Sequence, residues 1–124
     1  MATLADRVYD FGLDVLDSEA NRVDICSSEP TTYTAATSTA SLGNTTSITI
    51  SAPTDGDTSG RKVTLSAISG ASVTGTGTAS HFAITDTTNS RLLATGALSG
   101  GGQSVTSGNT FSLTAVDIEI PDPS

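Results

Sequence analysis

Few side chains in this sequence could do chemistry, and they are scattered. There is one His, one Cys and no Trp. His81 stands beside Ser80, with Asp86 five residues on. A catalytic imidazole needs a nucleophile within hydrogen-bond reach and a carboxylate to orient it. Nothing in the local pattern marks Ser80 or Asp86 for those roles, so His81 reads as a structural or surface residue. Cys26 follows Ile25 at the end of a short alternating run. A thiolate nucleophile is activated by a basic neighbour, and none is evident. The expectation is a partly buried, structural thiol. Asp55-Gly56-Asp57 resembles a fragment of a calcium loop. Calcium takes roughly six to eight oxygens, with a carboxylate later in the loop. Thr58, Ser59, Gly60 and Arg61 follow instead, so this stretch reads as a solvated turn. Gly100-Gly101-Gly102 lacks the Lys and the helix of a phosphate-cradling loop. Asp117, Glu119 and Asp122 cluster near the end and read as the solvated side of a strand. The alternative is an electrostatic contact to a basic partner. No catalytic, cofactor-binding or metal-ligating residue is assigned, and the chain is expected not to be an enzyme.

The bulk composition points the same way. Active sites concentrate perturbed titratable groups, and this chain has few to spare. It has 124 residues, five Lys+Arg, thirteen Asp+Glu and a formal net charge of −8. That length suits one domain with a short appendage. Leu, Ile, Val and Phe make up roughly a fifth of the residues, which gives a thin core. About a third are Ser or Thr, and β-branched Thr favours extended backbone. A thin core predicts marginal stability alone, relieved by self-association or by a scaffold. Nucleic acid is not an expected partner, because its phosphates call for clustered cations. Only Arg61 and Lys62 are adjacent here. An acidic chain also avoids anionic membrane surfaces, and no apolar run approaches a membrane span. The first residues lack a basic start followed by an apolar block, so no signal peptide is expected. A single Cys suits a reducing cytoplasm.

The elements that must position these residues divide into two kinds. Residues 1–20 carry a helical pattern and read as a helix or arm, with Thr3 as N-cap. Leu4, Val8, Phe11 and Val15 form one apolar stripe. Ala5, Tyr9, Leu13 and Leu16 form a second, flanking one, and Asp6, Asp10, Asp14 and Asp17 a solvated face. The combined apolar arc covers roughly half the circumference, wider than docking on one sheet requires. Either the helix sits in a groove of its own domain, or the second stripe packs against another subunit. The wide arc predicts that Tyr9, Leu13 and Leu16 contribute to a contact with another subunit or a partner protein. Gly12 weakens the helix interior and permits a kink.

Residues 21–124 read as a β domain. Strands are expected at 22–26, 47–52 (Ile48, Ile50 and Ala52 inward), 62–68 (Val63, Leu65 and Ala67 inward) and 72–79. Alternate glycines at Gly75 and Gly77 suggest close approach of another backbone or a bend. Thr31–Leu42 reads as an extended arm or a long surface loop. Residues 80–85 and 91–98 form a hairpin around 86–90. A short strand follows at 103–106, and the last runs over 110–120. Its inward phase changes at Ala115-Val116, implying a bulge or a change of environment. Pro121 and Pro123 end the fold. The expected class is mainly β: a compact β-sandwich or small β-barrel with an N-terminal α-helix or arm.

Several stretches are similar to a group of small structural proteins of tailed bacteriophages. They are Ala2-Thr3-Leu4-Ala5-Asp6-Arg7-Val8 with Val15-Leu16-Asp17, and Ile25-Cys26-Ser27-Ser28-Glu29-Pro30-Thr31-Thr32-Tyr33. Ser80–Asp86 with Ser90–Gly96, and Ser107–Phe111 with Ile118–Pro123, complete the resemblance, which spans nearly the whole chain. It implies a head decoration (cement) protein on the capsid exterior, made in the host bacterial cytoplasm. The implied partners are the major capsid protein and further copies of the chain, as a homotrimer, with no nucleic acid, membrane or cofactor. Two alternatives differ in class. One is another virion component (tail, connector or fibre), present in few copies. The other is a carbohydrate or cell-surface binding module, for which Tyr9, Tyr33 and the three Phe would be the aromatic platform. Carboxylate-only chemistry such as glycoside hydrolysis is a third and more distant alternative.

Overall fold

Alternation of apolar and small polar residues from Arg22 onward produces antiparallel sheets, and the helical pattern before it produces a helix. The computed structural model describes residues 4–98 and 102–122. The expected Thr3 cap, the Ser99–Gly101 part of the glycine turn and Pro123 lie outside them. The fold is mainly β, with an N-terminal helix and open antiparallel sheets. This is the class expected of a small β-sandwich, and the open sheets do not close into a barrel.

The chain forms two compact units. The helical unit contains Met1–Glu19, Thr49–Ala67 and Thr114–Ser124, and the sheet unit contains Ala20–Ile48 and Ile68–Leu113. The helix therefore shares a unit with two later segments.

In the sheet unit, strands β1 (Arg22–Cys26) and β2 (Ser41–Thr45) pair antiparallel. β5 (Ile68–Val73), β7 (His81–Asp86), β8 (Arg91–Ala97) and β10 (Thr110–Leu113) complete a six-stranded sheet ordered β10-β5-β2-β1-β7-β8. β6 (Gly77–Ala79) and β9 (Gln103–Val105) pair separately. β1 is central, and its residues Val23 to Cys26 are all buried. Ala35–Thr39 is a π-helical turn, not an extended arm or loop. Its small residues suit its seat: Ala36 and Ala40 pack with Cys26 and Ala83 in a buried cluster. Gly43 opposes Val73 at the β2–β5 pairing, and a Cβ there would lie 2.6 Å from the Ser72 carbonyl oxygen. The strand expected over 72–79 is divided between β5 and β6, and what lies against Gly75 and Gly77 is chiefly the Leu42 side chain and not another backbone. The β7–β8 hairpin forms where expected. Asn21 pins its tip by accepting from the Thr87 N–H at 2.9 Å.

In the helical unit, α1 (Asp6–Glu19) lies against β4 (Arg61–Leu65). β4 is the middle strand of a sheet ordered β11-β4-β3, with β3 at Thr54–Asp55 and β11 at Val116–Ile120. Val63 and Leu65 are fully buried. Two strand expectations are corrected here. Residues 47–52 contribute only an isolated bridge from Ile50 to Leu65, with Ala52 exposed. β4 ends at Leu65, so Ala67 is exposed rather than inward, and Ile68 opens β5. The phase change at Ala115-Val116 is a change of sheet, because β10 and β11 belong to different ones.

Candidate interaction surface

The helix carries two apolar stripes, and the structure buries only one of them. Tyr9 and Leu13 are 2% exposed and Leu16 is 7% exposed. These three are therefore buried within the chain and leave no free surface for a partner. That corrects the expectation for Tyr9, Leu13 and Leu16. The outward stripe is the other one: Val8, Phe11 and Val15 are 56%, 59% and 37% exposed, and Leu4, just before the helix, is 45% exposed. Polar contacts explain this roll of the helix. The Tyr9 hydroxyl donates to Asp122 at 2.8 Å, and Arg61 Nε donates to Asp10 at 2.9 Å. Rotating the first stripe inward would break both. Burial and the Asp122 carboxylate together raise the Tyr9 pKa, which keeps its hydroxyl a donor.

The exposed stripe has further structure. Ile120, 36% exposed, approaches the helix at Gly12, where a Cβ would stand 3.8 Å from its Cδ1. The Arg7 guanidinium lies 4.5 Å from the centroid of the Phe11 ring. Such a stack holds an exposed aromatic in place with modest energy. The result is an ordered row of apolar side chains facing solvent.

The charges around it are unevenly distributed. The helical unit holds ten of the thirteen acidic residues and three of the five cationic ones, a net charge of −7. Two of those cations are engaged internally. Arg61 meets Asp55 at 2.7 Å, Asp10 at 2.9 Å and Asp6 at 3.8 Å. Lys62 meets Asp57 at 2.6 Å and Asp117 at 3.0 Å, and these bonds raise its pKa. Asp117 also accepts from the Thr64 hydroxyl at 2.7 Å; this bond, with Lys62, lowers its pKa. Glu119 accepts from the Asp57 N–H. Asp117 and Glu119 are exposed along β11, as the sequence suggests, but each has a partner within the unit.

The remaining candidate residues do not assemble into a site. Ser80 Oγ lies 2.9 Å from His81 Nδ1 and also donates to the Ser27 carbonyl at 3.0 Å. His81 and Asp86 occupy opposite ends of β7, roughly 17 Å apart along an extended strand. Asp86 is itself committed to the hairpin tip, accepting from the Thr88 N–H at 2.9 Å and the Asn89 side-chain amide at 2.8 Å. Those bonds lower its pKa. Cys26 is fully buried, and burial pushes its pKa up to about 11, so the thiol stays protonated. Asp55 and Asp57 face Arg61 and Lys62 across the turn. Among the described residues no group of three or more His, Cys, Asp or Glu is placed to hold a metal ion. No described helix is long and apolar enough to cross a membrane.

Comparison with protein-family models, with curated proteins and with solved structures found no match to this chain.

Proposed function

We propose that this chain is a decoration protein of a tailed-bacteriophage capsid. In this reading it binds the outer lattice, stabilises the head and performs no enzymatic reaction. The observation that carries the reading is the resemblance that runs from Ala2 to Pro123. The exposed helix stripe supports it, since an ordered apolar row on a soluble surface marks an interaction site more often than an accident of composition. The partners are the major capsid protein and further copies of the chain, as a homotrimer. The protein works on the capsid exterior after synthesis in the host cytoplasm. Several modest contacts per assembly tie neighbouring capsid subunits together through effective concentration. Binding the expanded lattice alone stabilises that state by mass action.

The test is the copy number of the chain in purified particles, measured by quantitative mass spectrometry against the major capsid protein. A large stoichiometric fraction is expected. A handful of copies would move the chain to a connector, tail or fibre, and absence from the particle would end the virion reading.

A further inference from the structure

We infer that the row formed by Leu4, Val8, Phe11, Val15 and Ile120 is a docking surface for a different protein, one presenting apolar side chains within a rim of Lys and Arg. Two observations select this occupant over a second copy of the chain. The first is charge. The helical unit carries −7, with Arg61 and Lys62 already held by Asp6, Asp10, Asp55, Asp57 and Asp117 and Arg7 lying over Phe11. Seating this row on its counterpart in another copy brings two such fields face to face, and like-charge juxtaposition opposes association. A cationic rim gains instead, starting with Asp14, which borders the row one turn beyond Phe11. The second observation is area. The five side chains are 36% to 59% exposed, which makes a patch of a few hundred Å². A stable independent dimer buries roughly 800 Å² on each partner. A small apolar patch in a strong negative field therefore suits a contact that is steered by charge and repeated many times. Self-association of the chain uses a different surface.

That the partner is a capsid subunit rests on the decoration reading; the surface and its chemistry do not. The test uses the full chain and three helical probe peptides. One has Leu along one face and Lys along both edges, the second has Glu in place of Lys, and the third has Ser in place of Leu. The first is expected to bind at least roughly tenfold more tightly than either other peptide. Its affinity is expected to fall as salt rises. Val8→Ser with Phe11→Ser, both exposed positions, is expected to reduce binding to the level of the Ser/Lys peptide with an unchanged circular dichroism spectrum. Equal binding of the Glu-edged peptide, or full binding by the double variant, would overturn the inference. So would light scattering that finds an oligomer of the wild type which the double variant dissolves, because a second copy would then be the occupant. A chain absent from purified particles would end the decoration reading and leave the peptide result standing.

Discussion

The two units of this chain handle charge in opposite ways. In the sheet unit the central charge is buried and fully partnered. Asp24 is fully buried on β1 and receives Arg22 through Nε at 2.7 Å and Nη2 at 2.8 Å. Ser41 donates to the same carboxylate at 2.6 Å, and Arg22 reaches on to the Thr37 carbonyl of the π-helical turn at 3.1 Å. One ion pair thus joins β1, β2 and the turn. In the helical unit Arg61 gathers three carboxylates, but Asp6 and Asp55 are 69% and 90% exposed. The sheet unit has a net charge of −1 and the helical unit −7. The contrast teaches a division of labour. Buried charge ties together the strands and turn of one unit, whereas most of the charge of the other unit faces solvent.

The largest effect that could break this comparison concerns Cys26. A thiol this buried reacts only when the sheet unit opens. Labelling of native protein with a thiol reagent is expected to run at least roughly a thousandfold slower than in denaturant. Labelling within tenfold of the unfolded rate would show that the core around Cys26, Ala36, Ala40 and Ala83 is not closed. The two arginines come next. Arg22→Ala leaves the Asp24 carboxylate buried without its cation, held only by Ser41, and is expected to destabilise by about 3 kcal/mol in a denaturant titration. Arg61→Ala leaves acids that water can reach, and its loss is expected to be clearly smaller. Equal losses would erase the distinction between the units.

Acid titration sharpens it further. Asp86, through the Asn89 amide, and Asp117, through Thr64 and Lys62, both have lowered folded pKa values. A carboxylate of this kind contributes its stability above the unfolded value of about 4 and loses it as pH falls through the folded value. Amides of the β7–β8 hairpin and of β11 are therefore expected to lose exchange protection below about pH 4. Salt separates them. Asp86 is held mainly by the neutral donors of Asn89 and Thr88 at a buried position, with Arg91 adding a smaller attraction, whereas Asp117 is exposed beside Lys62. Raising salt to about 0.5 M is expected to weaken the β11 contribution more than that of the hairpin, where Arg91 is the smallest of the causes that lower the Asp86 pKa. The smallest effect is Phe11→Ser, expected to change stability by no more than about 0.5 kcal/mol because the ring is already in solvent. A loss of several kcal/mol would mean that the outward stripe is part of a core.

Much of this architecture is legible in the sequence, and the parts that are not have physical reasons. The hairpin is readable because Asp86-Thr87-Thr88-Asn89-Ser90 combines turn residues between two alternating runs. The switch between β10 and β11 is readable because side-chain phase has a period of two. The helix is readable, but its roll is not. Both stripes are apolar, and the contacts that decide between them join Tyr9 to Asp122 and Asp10 to Arg61, far apart in the chain. Burying Tyr9, Leu13 and Leu16 follows from partners that no local pattern reveals. The turn at Ala35–Thr39 escapes notice because its residues are small and polar. Only packing with Cys26 and Ala83 makes Ala36 and Ala40 core residues. The exposed row was visible as a stripe, but its outward direction needed the structure.

The central proposal is that the outward row of the helical unit makes the contact with the capsid. The most direct measurement is competitive incorporation. Wild type and the Val8→Ser, Phe11→Ser double variant are supplied together during particle assembly, and their ratio in purified particles is read by mass spectrometry. The account predicts wild type in stoichiometric amounts and at least roughly a tenfold exclusion of the variant. Equal incorporation of the two chains would contradict it.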